Sequence, residues 1–285
     1  MKPSVNASDG VDVLVRIEQG RPPSVAKQLS RRVLEHSGEG WLIKSQGVAD
    51  FEVVGGRQIR VWPAAGAEQK DIEIFLFGVV WATLCHQRGL LPLHASAITS
   101  KGGIIAFAGS SGVGKSTTAA LMVSLGYELV TDDMLPISFN QQAVPGAWPY
   151  TRRLKLHDGP IIQLGLTPAE LVSENVDNEK YFVCPKTVAD DKWNMLDRIY
   201  VLENGSAESV TPIDLITGAD AVRALVDHTY YLDFVLDNGR FQDHLALCTQ
   251  LTTKIPVYRL RFSPSLRTED ELSSLICAHL EGVTT

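Results

Sequence analysis

The residues with the clearest chemical potential form one run, Gly109-Ser110-Ser111-Gly112-Val113-Gly114-Lys115-Ser116, followed by Thr117. It fits GxxxxGK[ST] at every fixed position. Its glycines let the backbone curl until several N–H groups face one anion. A helix beginning at Lys115 adds unpaired N–H groups and a positive dipole end. The Lys115 ammonium suits β- and γ-phosphate oxygens, and the Ser116 hydroxyl suits magnesium. Asp132 and Asp133 follow 17 and 18 residues after Lys115, at the end of an apolar strand-like stretch. Neighbouring residues of a strand point to opposite sides, so the two carboxylates are expected to differ in role. One would hold Mg²⁺, the other an acceptor hydroxyl, which is the division phosphoryl transfer requires. His94, in LPLHASAI, is either a packed histidine or part of the same site.

Arg152, Arg153 and Lys155 in WPYTRRLKL are candidate phosphate or substrate contacts, with a solvated basic turn as the plainer reading. Lys180, Lys186 and Arg198 are weaker candidates. Trp148 and Tyr150 suit either a groove or the core, and His157, His228 and His244 receive no role.

These residues need an α/β scaffold. Ile104–Ala108 (IIAFA) reads as a central strand buried on both faces, preceded by a strand from Ile98 across the turn Lys101-Gly102-Gly103. A helix over 115–125 stops at Gly126, and a strand over 128–131, beside the loop-bearing strand, delivers the two aspartates. Upstream, Val11, Val13, Val15 and Ile17 share one face of a strand, and 51–61 carries strands broken by Gly55-Gly56. Val25, Leu29, Val33 and Leu34 have helical spacing, ended by Gly38 and Gly40. The segment 71–89 is long enough to favour helix. Downstream, 199–202 and 256–262 read as strands, and 214–226 and 241–252 as helices. A last helix follows the capping box Thr268-Glu269-Asp270-Glu271, and 140–191 reads as loops with short strands. The expected domains are a small α+β N-terminal module over 1–89 and a catalytic domain over 90–285.

Composition sets the bounds. The chain has 285 residues, 45% of them hydrophobic, enough for a sizeable core and against disorder. A net charge of −7 argues against a broad nucleic-acid-binding surface. Four dispersed cysteines, with no CxxC, indicate reduced thiols rather than zinc or disulfides. The N-terminus lacks an apolar signal region, and the apolar run 74–85 is shorter than the roughly 18–20 residues a membrane span needs. A cytoplasmic protein without membrane association is expected.

The run LCHQRGLLPLHASAITSKGGIIAFAGSSGVGKSTTAALMVSLGYELVTDD resembles the catalytic domain of bacterial HPr kinase/phosphorylase. It is nearer still to the related kinases of lasso-peptide biosynthesis, in length and in the HQRGLLPLHAS approach. The resemblance is specific over 84–133. It implies a P-loop core of the HPr kinase and phosphoenolpyruvate carboxykinase type with a mixed sheet. The implied activity uses ATP and Mg²⁺ to phosphorylate a serine hydroxyl, here at the C-terminus of a precursor peptide. It further implies that His94 hydrogen-bonds Asp132, that Asp132 is the general base, and that Asp133 and Ser116 serve the metal. A peptide or small-protein partner is expected, with the oligomeric state, a homo-oligomer included, left open. The other readings are an HPr-like protein serine kinase, a small-molecule kinase, and a nucleotide-binding regulator with little turnover. No NKxD or LSGGQ-type signature is present, which disfavours a GTPase or a transporter ATPase.

Overall fold

The computed structural model describes residues 13–20, 22, 34–36, 40–171, 179–205, 213–262 and 269–282. Its elements begin with β1 (Leu14–Ile17), β2 (Leu34–His36), β3 (Trp41–Ser45), β4 (Ala49–Val54), β5 (Gln58–Pro63), α1 (Gln69–Phe75), α2 (Trp81–Gln87) and β6 (Leu91–Leu93). Next come β7 (Ala95–Ser100), β8 (Gly103–Gly109), α3 (Lys115–Ser124), β9 (Glu128–Thr131), β10 (Leu135–Phe139), β11 (Pro145–Ala147), β12 (Leu154–Leu156), α4 (Asp158–Gln163), β13 (Glu170–Leu171) and β14 (Tyr181–Val183). The chain continues through β15 (Asn194–Asn204), β16 (Ile213–Ile216), α5 (Gly218–Asp227), α6 (Leu232–Asp237), α7 (Phe241–Thr252), β17 (Val257–Phe262) and α8 (Glu269–Leu280). The architecture is mixed α/β with mixed sheets.

Two compact units emerge, neither continuous in sequence. One combines the described residues up to Leu93 with Pro136–Val144 and Thr229–Gln250; the other takes His94–Leu135, Pro145–His228 and the chain from Leu251. The expected single cut between 89 and 90 differs from this division, because α6 and α7 return to pack with the N-terminal elements.

In the first unit, the sheet order is β1-β5-β4-β3-β2, with β1 parallel to β5 and the other neighbours antiparallel. Gly55 and Gly56 both have positive φ, and Arg57 N–H closes the turn on the Val54 carbonyl. That is the geometry a Gly-Gly hairpin supplies without Cβ strain. Ile43, Phe51, Val53, Ile59 and Val61 form one buried face. The strand expected to carry Val13, Val15 and Ile17 on one face is present over Leu14–Ile17 as an exposed edge, with Leu14, Val15 and Ile17 in solvent. Val11 and the helix expected through Val25, Leu29 and Val33 fall outside the described residues, whereas Leu34 opens β2.

The apolar segment after β5 is helical, as its length indicates. A wide turn over Leu76–Val80, with Gly78 at φ −100 and ψ −111, interrupts it before α2. Trp81 to His86 are all buried, so α2 is a core helix rather than an amphipathic one. The His86 imidazole donates to the Tyr230 carbonyl (3.0 Å) and stacks on Phe234. Burial, aided by neighbouring His244 and Arg240, brings its pKa down to about 4.

The second unit holds the order β11-β15-β8-β7-β9, with β17 on β15 and β16 on β17. β15 is parallel to β8 and β17, while β7 is antiparallel to both β8 and β9. Ile104 to Ala108 are fully buried, as a central strand requires. Ile98, Ile105, Phe107, Tyr200, Leu202 and Leu260 pack with Met122 of α3 and Ile276 of α8. Gly126 ends α3 at φ +98. Two expectations are corrected. β9 does not adjoin β8, because β7 lies between them. The segment from 214 opens as β16, paired with β17, and turns helical only at Gly218, whose φ of +58 breaks the strand. Thr268 of the capping box lies outside the described residues. The 140–191 region contains the small sheet β12-β14-β13. Among the described residues, no helix is long and apolar enough to cross a membrane.

His86 gives a pH-dependent stability. Its folded pKa lies below its unfolded value near 6.5, so the unfolded chain binds the extra proton between these limits. Its contribution is therefore complete above pH 6.5 and is lost as the pH falls towards 4, amounting to about 3 kcal/mol at most. Denaturant unfolding at a series of pH values will show a steeper acid loss in the wild type than in His86→Leu. Parallel curves would remove His86 as the cause.

Candidate phosphoryl-transfer site

The site lies at one edge of the second unit's sheet. β8 and β9 both end there, and antiparallel β7 begins there, so His94 and Ser96 meet the glycine loop and the aspartates. Gly109 closes β8 at φ +148, and a Cβ on it would meet Val113 Cγ1 at 2.8 Å and the Leu202 carbonyl at 2.9 Å. Glycine is required there on both conformational and steric grounds. Gly112 and Gly114 also have positive φ. Ser110, Ser111 and Gly112 are exposed, Val113 is buried beneath them, and Ser116 and Thr117 are half-buried. The Lys115 ammonium donates to the carbonyls of Gly109 (2.9 Å) and Ser110 (3.0 Å). Burial lowers its pKa, while Asp133 and Asp132 oppose that shift.

Asp132 is 2% exposed. Its Oδ1 accepts from the Ser96 hydroxyl (2.5 Å) and its Oδ2 accepts from the Lys155 backbone N–H (2.8 Å), while the Ser116 hydroxyl lies near enough to help lower its pKa. Burial raises its pKa; these donors pull the other way. The turn is pinned by the Thr151 hydroxyl donating to the Asp132 carbonyl and the Thr131 hydroxyl donating to that of Met134.

Asp133 has φ +81, a left-handed conformation that aspartate tolerates better than most residues. Its carboxylate engages His94 Nε2 (3.4 Å) on Oδ1 and Lys155 Nζ (3.1 Å) on Oδ2. Burial alone would raise its pKa, but the His94 hydrogen bond and the Lys155 charge outweigh it and hold the group well below the usual carboxylate range. The expected His94–Asp132 contact is therefore corrected: His94 meets Asp133. The left-handed turn is the reason, since it sends Asp132 inward to the hydroxyls and Asp133 towards His94.

Of the three basic candidates, Lys155 alone is seen bonded to the aspartate pair. Arg152 pairs with Asp191, and the Arg153 guanidinium covers the Phe182 ring at 3.7 Å. Arg198 bonds Asp197 and the His279 carbonyl. Lys180 is near enough to Lys115 to depress its pKa. Trp148 and Tyr150 are half-buried, and His157 bonds the Glu179 carbonyl. Sequence reasoning passed over His228. Its carbonyl accepts the His94 N–H (2.8 Å). Burial, then the nearby Lys115 charge, lowers its imidazole pKa, with His94 also nearby. No local pattern marks it, because strand and helix returns bring it to His94.

No protein-family profile matches the chain, and no curated protein matches it. Among solved structures, the chain is weakly similar to the HPr(Ser) kinase/phosphatase from Coxiella burnetii. The identity is 11% and the TM-score 0.36, over 67% of this chain and 97% of that one.

The Ser96–Asp132 hydrogen bond satisfies a buried carboxyl group. Ser96→Ala will cost about 1–3 kcal/mol in denaturant unfolding, the range for a buried group losing its partner. Thr99→Ala, on the same strand but bonded to exposed Glu128, will change stability by about 0.5 kcal/mol or less. Equal costs would show that Ser96 acts only through packing.

Proposed function

We propose that this chain is an ATP- and Mg²⁺-dependent kinase that phosphorylates a serine hydroxyl of a peptide, at the C-terminus of a lasso-type precursor. The observation that carries the reading is the split pair of aspartates beside a complete GxxxxGKS loop. Asp132 faces Ser116, and Asp133 faces His94 and Lys155.

Ser116 and Asp132 offer adjacent hard oxygen donors next to the loop. This fits Mg²⁺, which favours one or two protein oxygens with water and phosphate completing its shell. When bound, the metal would neutralise phosphate charge. The loop amides and the Lys115 ammonium would hold the phosphates.

Asp133 then takes the acceptor role, the reverse of the assignment implied by family resemblance. His94 and Lys155 orient its carboxylate and keep it ionised. A carboxylate so held is a weak base, yet phosphoryl transfer passes through a loose transition state that makes small demands on the nucleophile. Asp133 therefore orients the serine hydroxyl and accepts its proton late. Support for a flexible peptide acceptor comes from the likeness of 84–133 to the lasso-peptide kinases. Arg152 and Arg153 are engaged elsewhere, which leaves Lys155 as the strongest cation candidate at the acceptor.

Two measurements test this. Asp133→Asn will lower turnover by about 10²-fold or more at an unchanged magnesium midpoint, the scale of general-base loss. Asp132→Asn will instead raise the magnesium requirement, and Lys115→Ala will abolish transfer. The opposite pattern for the two aspartates would restore the family assignment. Separately, labelled ATP offered with a serine-ended precursor peptide, its alanine-ended counterpart and HPr will label the first alone. Label on HPr but not on the serine-ended peptide would overturn the acceptor.

A further inference from the structure

A cleft of about 170 Å³ lies along α3, starting at Gly114, the last glycine of the phosphate loop. Thr117 and Leu121 line it from α3, Pro160 and Gln163 from α4, with Phe262 and Leu272 completing the wall. Thr117, which follows the loop, lends its side chain to the cleft, while Lys115, Ser116, Asp132, Asp133, His94 and Lys155 do not line it. Leu121, Phe262 and Leu272 are buried core members whose surfaces face this space. No described lining side chain carries a charge.

We propose that this cleft holds the purine ring of the nucleotide and discriminates little between adenine and guanine. The inference rests on the nucleotide reading above and adds where the base sits and how it is chosen. A nucleoside whose phosphates occupy the loop meets this cleft beside Gly114. The apolar walls suit a flat ring, the usual character of small-molecule sites. Base identity depends on the polar edge. Guanine presents N1–H and an exocyclic N–H, which a carboxylate accepts together, and no described lining residue supplies one. The Thr118 hydroxyl is committed to the Gly114 carbonyl (2.9 Å). Gln163 is exposed, and its amide carries both a donor and an acceptor, so by turning over it can face either purine edge. A pocket that reads ring shape without a fixed hydrogen-bond code discriminates weakly.

Gly159 supplies a selective block. It lies in α4 with ordinary φ, and a Cβ there meets nothing within 4 Å. The experiment titrates the magnesium complexes of ATP, GTP and inorganic tripolyphosphate into the full chain by calorimetry. ATP and GTP will bind within about tenfold of each other. Gly159→Phe will weaken both nucleotides by about tenfold or more and leave tripolyphosphate within about twofold. Gln163→Glu, at an exposed position, will move the preference towards GTP by about fivefold or more. If Gly159→Phe does not fold, Gln163→Glu decides alone. Wild-type protein that binds neither nucleotide nor tripolyphosphate would overturn the nucleotide reading as a whole. Tripolyphosphate binding with unaltered nucleotide affinities in Gly159→Phe, an unmoved preference in Gln163→Glu, or a wild-type preference above about tenfold would overturn the base site alone.

Discussion

One buried carboxylate organises the second unit. Asp132 sits just past β9 and is satisfied from two other places, Ser96 on β7 and the backbone of Lys155 on β12, with Ser116 at the start of α3 close by. A carboxylate removed from water needs such partners, or it is neutralised or destabilises the fold. Here the partners are a hydroxyl and an amide, both neutral donors. They tie β7 and the small sheet to a single point beside the glycine loop. The carboxylate proposed to hold magnesium is therefore also a structural junction.

Lys155 extends that junction to the other aspartate. Its backbone N–H serves Asp132 and its ammonium serves Asp133. One residue thus couples the buried carboxylate to the half-buried one, and fixes the direction in which each points. The left-handed backbone at Asp133 makes the divergence possible. Strain of this kind persists where surrounding bonds hold it, and here the Thr131 and Thr151 hydroxyls do so.

Electrostatics follow from the same arrangement. Lys115, desolvated and folded over the loop carbonyls, faces both aspartates. Asp133 is bracketed by a lysine and a histidine, and His228 stands close to His94 and Lys115. The sheet edge thus carries opposite charges in contact before any phosphate arrives. Under the proposed function, a bound polyphosphate would replace part of this internal pairing, rather than create a charged site from an uncharged one.

Much of this was legible from residue order. The glycine loop, the buried strand before it, the helix stop at Gly126 and the delivery of Asp132 and Asp133 by β9 are local features. Glycine geometry, helix termination and strand length act over a few residues, so the sequence alone determined them. The tight Gly55-Gly56 hairpin and the core helix after it belong to the same class. What the tertiary structure decided was pairing. The insertion of β7 between β8 and β9 brings His94 and Ser96 to the site from upstream, and no periodicity encodes strand order. The sign of φ at Asp133 decides which aspartate His94 meets, and an Asp-Asp dipeptide permits either result. Lys155 and His228 reach the site through long-range returns of the chain, and Arg152 leaves it for Asp191. The exposure of the edge strand β1 is also a tertiary result, because alternation reports a face without reporting what covers it. Local geometry is set by neighbours along the chain; contacts across the sheet edge depend on register and burial, which only the folded chain specifies.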